Sequence, residues 1–214
     1  PEVEYRVEIG EGLSTVDDPA WERTVRRYEY MEDHFEAVRL LTEWRDSLFS
    51  RPVERVVELG GNANPMIDRL NVPQKFNFDI DPYGMIIGKL IRQDTNSIVN
   101  FVVADGMSLP IPNSSIDMLV LFATFHHFPD PIGLLSRLSD FVTDDGLICL
   151  MCEPIGHVHR DSLEGEYLNE LRKGVNEQSF ALWEYGQMFT AANLEVVATQ
   201  IDVGSAKIAL RPRR

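Results

Sequence analysis

The stretch Val53-Glu-Arg-Val-Val-Glu58-Leu-Gly60-Gly61-Asn62-Ala-Asn64 decides the fold. An apolar run ends in an acid and two glycines. The run reads as a strand, and the glycines let the chain turn tightly and bring its backbone close to a ligand. The same grammar repeats downstream. Ile67–Leu70 reads as helix, Phe76–Ile80 as a second strand, and Met85–Ile91 as helix. Phe101–Ala104 and Ile116–Phe122 read as the third and fourth strands; a helix follows Pro131, and Leu147–Cys152 is a fifth strand. A helix near Trp183–Ala192 and strands at Leu194–Ile201 and Ala206–Leu210 complete the pattern. Strands alternating with helices predict an α/β fold, a doubly wound, mostly parallel sheet covered on both faces.

Upstream of Val53 the pattern differs. Residues 3–9 alternate apolar and charged, which is strand-like. Asp18-Pro19 starts a helix, and apolar residues then recur every three or four positions from Trp21 to Leu48, until Pro52. Residues 1–52 are expected to form an N-terminal strand and a helical cap, an extension on a core at 53–214. That core carries a polar insertion near 156–178.

With 214 residues, 44% of them hydrophobic, the chain can bury a substantial single core. It carries 34 acids against 20 Lys and Arg, a net charge of −14. Residues 1–50 alone hold 13 acids against 6 basic residues, which reads as a solvated acidic face. Nucleic acid demands a basic footprint and is not an expected partner. No apolar run is long enough to span a membrane, and no secretory leader opens the chain. It begins with Pro1 instead of Met, so it is expected to be trimmed, processed or cut from a longer polypeptide. Cys149 and Cys152 form C-x-x-C inside the apolar run Gly146–Glu153. Residues three apart on a strand point to opposite faces. They are therefore expected to be buried thiols of a reducing, cytoplasmic compartment.

In an open parallel sheet, ligands bind outside the carboxyl ends of the strands. The first strand ends at Glu58, Gly60, Gly61 and Asn62; the second at Asp79, Ile80 and Asp81; the third at Asp105 and Gly106. The fourth ends at Phe122 with His126 and His127 beyond it, and the fifth at Glu153, with His157 and His159 beyond it. Two nucleotide cofactors compete. A nicotinamide enzyme wants G-x-G-x-x-G with a helix amino end facing a pyrophosphate. The frame from Gly60 reads G-G-N-A-N-P, which fits poorly. S-adenosylmethionine has no phosphates. It needs a carboxylate for the ribose, an acid for the adenine amino group, and a glycine turn under the methionine.

Over residues 53–155 the chain resembles the class I S-adenosylmethionine-dependent methyltransferases. Val56-Val-Glu-Leu-Gly-Gly61 is similar to the family's first motif, Phe78-Asp-Ile-Asp-Pro82 to its second, and Val103-Ala-Asp-Gly-Met-Ser-Leu-Pro110 to its adenine-side motif. Ser115-Ile-Asp-Met-Leu-Val120 with Phe125-His-His-Phe-Pro-Asp-Pro131 looks like its fourth-strand signature. The resemblance implies the Rossmann-like methyltransferase fold and S-adenosylmethionine as cofactor. Glu58 would meet the glycine turn of Gly60, Gly61 and Asn62 and the cofactor amine. Asp79 would hold the ribose ahead of Asp81, and Asp105 the adenine. Ile80, Gly106 and Phe122 would line the same site. Asp117 starts a strand and reads as structural. Asn62 and Asn64 stand where the family has glycines, but Asn tolerates left-handed backbone. Thr143-Asp-Asp-Gly146 replaces the family's basic-Pro-Gly-Gly turn.

The implied reaction is in-line displacement of an activated methyl group, for which the protein mainly supplies alignment and desolvation. A hydroxyl acceptor also wants a base, and histidine suits neutral pH. His127, His126 and His157 are the candidates, in that order. Metal ligands show no recognisable spacing. The acidic surface and the insertion favour a small-molecule acceptor, a sugar or another hydroxylated metabolite. Gly174-Val-Asn-Glu-Gln178 and Glu184-Tyr185 resemble methyltransferase domains linked to glycan biosynthesis. Glu177 could close over substrate, and Tyr28 and Tyr30 could cover the cofactor. The rivals are a non-catalytic methyltransferase-like binding domain and, further behind, a nicotinamide-dependent oxidoreductase.

Overall fold

All seven residues of the strand Ile116–Phe122 are buried, with no polar alternation on either face. A strand like this must sit mid-sheet with both faces covered. In the computed structural model, which describes residues 32–93, 95–156, 176, 178–202 and 205–213, it does. The expected strand at 3–9, the first turns of the leading helix with Tyr28 and Tyr30, and His157, His159 and Glu177 lie outside the described residues.

The strands are β1 (Arg55–Leu59), β2 (Gln74–Asp79), β3 (Val99–Val103), β4 (Ile116–Phe122), β5 (Val142–Pro154), β6 (Leu194–Asp202) and β7 (Ser205–Pro212). They form one sheet in the order β3-β2-β1-β4-β5-β7-β6, in which β7 alone runs opposite to the other six. The helices are α1 (Glu32–Leu48), α2 (Pro82–Ile91), α3 (Pro131–Phe141) and α4 (Leu182–Ala191). None of them is long and apolar enough to cross a membrane.

Period-two alternation divides the core. Met118, Val120 and Phe122 of β4, with Leu147, Cys149 and Met151 of β5, face α1 through Ala37, Leu41 and Trp44. Leu119, Leu121, Ile148 and Leu150 face the other way, onto Leu134 and Leu138 of α3 and Tyr185 and Phe189 of α4. This is the expected doubly wound sheet, with the N-terminal helix packed on one face. Asp117 has the expected structural role. It accepts from the Glu54 and Arg55 amides at 2.7 and 2.9 Å and pairs with Arg51 at 2.6 Å, joining the amino ends of β1 and β4.

Two readings need correction. Ile67–Leu70 is not an α-helix but part of a single 3-10 turn, Met66–Arg69. Pro65 and Pro73 leave too few residues between them to nucleate a helix. The crossover is held by side chains instead. Arg92 pairs with Asp68 at 2.6 Å and donates to Ala63 O and Asn64 Oδ1. The cysteines, secondly, do not face opposite ways. Cys152 sits at φ 57, where the β5–β7 register shifts, and this bulge brings it onto the same α1-facing cluster as Cys149. Burial pushes the Cys149 thiol up.

Candidate active site

The connections run outward in opposite directions from β1 and β4, so a crevice opens at their carboxyl ends. A cavity of about 510 Å³ lies there. Among the cofactor candidates Gly60, Asp79, Ile80, Asp105, Gly106 and Phe122 line it, and His127 stands on the same wall. Glu58, Gly61, Asn62 and His126 are not part of its lining.

The turn after β1 passes beneath the loop after β4. Gly60 has φ 83, and a Cβ there would lie 2.2 Å from Thr124 Cγ2, so no side chain fits. Asn62 takes the left-handed backbone at φ 43. Its amide donates to Asp79 Oδ2 at 2.9 Å, and the Asp81 amide donates to Asp79 Oδ1 at 2.9 Å. Asp79 thereby holds the turn and borders the cavity with its remaining lone pairs. Burial holds its carboxyl above the usual range, opposed by those amide bonds. Asp81 is differently occupied. It caps α2 through the Tyr83 amide and accepts from Asn62 Nδ2. Asp105 caps the 3-10 turn Gly106–Ser108 through the Met107 amide at 2.9 Å and is itself exposed. Ile80 is 71% exposed at the lip, too open to be core packing alone. With Met107 and Phe128 it offers apolar surface to a flat ring.

Glu58 lies under the turn instead of on the cavity wall. Its Oε2 accepts from the Ile67 amide at 2.9 Å. Desolvation pushes its carboxyl up to about 8, against the backbone donors and Arg92.

His126 and His127 belong to a three-residue 3-10 turn, and the helix starts only at Pro131, capped by Asp130. His126 is buried, with Nδ1 2.8 Å from Glu153 Oε2. Glu153, fully buried near the end of β5, also accepts from the amides of Thr124 and Phe125 at 2.9 Å and of His126 at 3.2 Å. The sequence reading marked Glu153 only as a strand end. The signal was there, since an acid in an apolar run must find donors. His127 is half-buried, its Nδ1 3.3 Å from Asn176 O, while Asn176 Nδ2 donates to His127 O. With Nδ1–H turned to that carbonyl, Nε2 is the basic nitrogen. His157 lies outside the described residues.

Among the described residues the cavity lining holds two acids and no Lys or Arg. No α-helix begins at the glycine turn to supply a positive end. A pyrophosphate would meet only like charge here, which disfavours a nicotinamide dinucleotide. A sulfonium with an ammonium group suits the same acids.

Residues 29–199, about four-fifths of the chain, match the family model described as a methyltransferase domain. Among solved structures, the YcgJ protein of Bacillus subtilis shares 20% identity over 78% of this chain and 72% of its own, with a TM-score of 0.63. An S-adenosylmethionine-dependent methyltransferase from Mesorhizobium loti shares 12% identity over 84% of this chain and 97% of its own, with a TM-score of 0.65. The mitomycin 7-O-methyltransferase MmcR shares 12% over 85% of this chain and 54% of its own, at 0.62. At these identities the likeness is one of fold. No curated protein sequence matches the chain.

Proposed function

This chain belongs to the methyltransferase-domain family and is an S-adenosylmethionine-dependent methyltransferase, and on that premise we propose that it methylates a hydroxyl group of a small molecule such as a sugar. One observation carries the reading. His127 shares the 510 Å³ cavity with Asp79, Asp105 and the Gly60 turn, so a base and a cofactor site face one space. The cofactor supplies a methyl group already activated on a sulfonium. Asp79 would accept from the ribose hydroxyls and Asp105 from the adenine amino group, while Ile80, Met107 and Phe128 would cover the ring. Phe122 and the Thr124 loop close the floor and exclude water. His127 Nε2 would take the acceptor's hydroxyl proton, the methyl carbon exchanging its bond to sulfur for one to the acceptor oxygen and a neutral thioether being left behind. The acidic surface, in turn, disfavours polyanionic acceptors.

Incubation with methyl-labelled cofactor and a panel of sugars, other hydroxylated metabolites and amines tests the reading. Label in an acid-stable methyl ether is the expected product. Label on nitrogen alone, or no transfer to any hydroxyl compound, overturns it.

His127→Ala is expected to lower turnover by roughly 100- to 10,000-fold, since a base acts only in the transition state. Cofactor affinity by calorimetry separates this from a binding defect. Near-native turnover would make the reaction one of alignment alone. Asp105→Ala is expected to weaken S-adenosylmethionine binding by about 1–2 kcal/mol. Asp105→Asn should cost less, because its amide oxygen can serve both Met107 N and the adenine. Calorimetry showing equal, near-zero losses would reduce Asp105 to a turn former.

A further inference from the structure

Asn77 of β2 is fully buried and is the register partner of Glu58 on β1. Its amide orientation is set, because Nδ2 donates to Asn62 O at 2.7 Å. Flipping it would place two carbonyl oxygens face to face. Oδ1 is therefore turned away from Asn62 O, buried, with no hydrogen-bond partner among the described residues. An unmet buried acceptor is costly. Glu58 Oε1 is close to it. A carbon added to Gly61 would lie 2.5 Å from Asn77 Oδ1 and 2.8 Å from Glu58 Oε1, so both oxygens press on one face of the turn. A proton on Glu58 would give the unmet Asn77 oxygen the donor it lacks.

We propose that Glu58 is a neutral carboxylic acid whose Oε1–H donates to Asn77 Oδ1, and that this carboxyl–amide pair positions the Gly60–Asn62 turn. The amides of Ile67 and Met66 favour the ionised form, but burial outweighs them. Oε2 accepts from Ile67 N, as the carbonyl oxygen of an acid does. Of the charged groups facing Glu58, Asp79 from β2 opposes ionisation. Arg92, just past the end of α2, favours it, but is committed to Asp68, Ala63 O and Asn64. Desolvation and Asp79 together outweigh Arg92 and the two amides and push the carboxyl up to about 8. The pair reaches the cavity through the chain Asn77 to Asn62 O and Asn62 N to Asp79. Glu58 is thus a positioning residue, acting through Asn77 on the turn. This role rests on the reading that the turn carries the cofactor; the proton itself does not.

The test has two arms, both on the full chain. Carbon-13 NMR of labelled glutamate carboxyls, with Glu58 assigned through its own backbone, is expected to give a midpoint near 8. A midpoint near the ordinary 4.5 overturns the proposal. In the second arm, S-adenosylhomocysteine affinity is measured by calorimetry at about pH 6.5 and about pH 9. Wild-type affinity is expected to fall roughly tenfold as Glu58 ionises and the turn loses its anchor. Glu58→Gln keeps an N–H toward Asn77 at every pH, so that extra loss should vanish. A midpoint near 8 with the same pH profile in both proteins overturns the positioning role, whereas no S-adenosylhomocysteine binding at either pH overturns the placement of cofactor on this turn.

Discussion

Asp79→Ala is expected to lower the affinity for S-adenosylmethionine by about 2–4 kcal/mol, or roughly 30- to 1,000-fold, by calorimetry. Two losses add. The ribose hydroxyls lose a charge-assisted acceptor, and the Asn62 and Asp81 amides lose the oxygens that hold the turn at the cavity edge. Asp81→Ala removes a helix cap and one bond to Asn62 Nδ2, and should cost the cofactor far less. Unchanged affinity in Asp79→Ala would sink the ribose assignment. A larger loss in Asp81→Ala would transfer it.

Glu153→Ala is expected to lower the unfolding free energy by about 3–5 kcal/mol. Few single side chains here do as much. One fully buried carboxylate satisfies three consecutive amides, Thr124, Phe125 and His126, and the His126 ring. Truncation leaves four buried donors unmet beneath the wall that carries His127. The damage extends to α4, where Tyr185 donates its hydroxyl to Pro154 O in the same region. Glu153→Gln keeps one accepting oxygen but turns an NH2 group toward other donors, so it should fall between. Calorimetric melting resolves the difference, since for a chain of this size such a loss lowers Tm by roughly 10 °C. An alanine variant melting with the wild type would show that the loop holds itself.

The strands were legible because mid-sheet strands of an α/β fold are continuous apolar runs, as Ile116–Phe122 and Leu147–Met151 are. The ligand-facing strand ends were legible for the same reason, since polarity returns abruptly at Asp79, Asp105 and His126. Even the left-handed Asn62 followed from its side chain. What escaped was set by contacts between distant residues. The faces of Cys149 and Cys152 depend on a bulge where β5 meets β7, a partner more than fifty residues away. The 3-10 turn at Met66–Arg69 depends on Arg92 and Glu58 as much as on its prolines. His126 looked like a cavity histidine because sequence shows position but not which way a ring turns. Glu153 turned it inward.

The crossover from β1 to β2 differs from an α-helix in one further respect. A helical ladder is redundant: each amide has an equivalent neighbour on the next turn, and a single polar substitution frays little. Here the amides of Asn62, Ala63 and Ile67 each rest on one side-chain oxygen, from Asp79, Asn62 and Glu58. The segment is held by separate side-chain fastenings instead of a repeating ladder. Its tolerance to polar substitution is therefore low and steep, while the apolar strands beside it accept exchanges of similar volume. Mutational robustness in this protein is divided unevenly, and the part bordering the candidate cofactor cavity has the least.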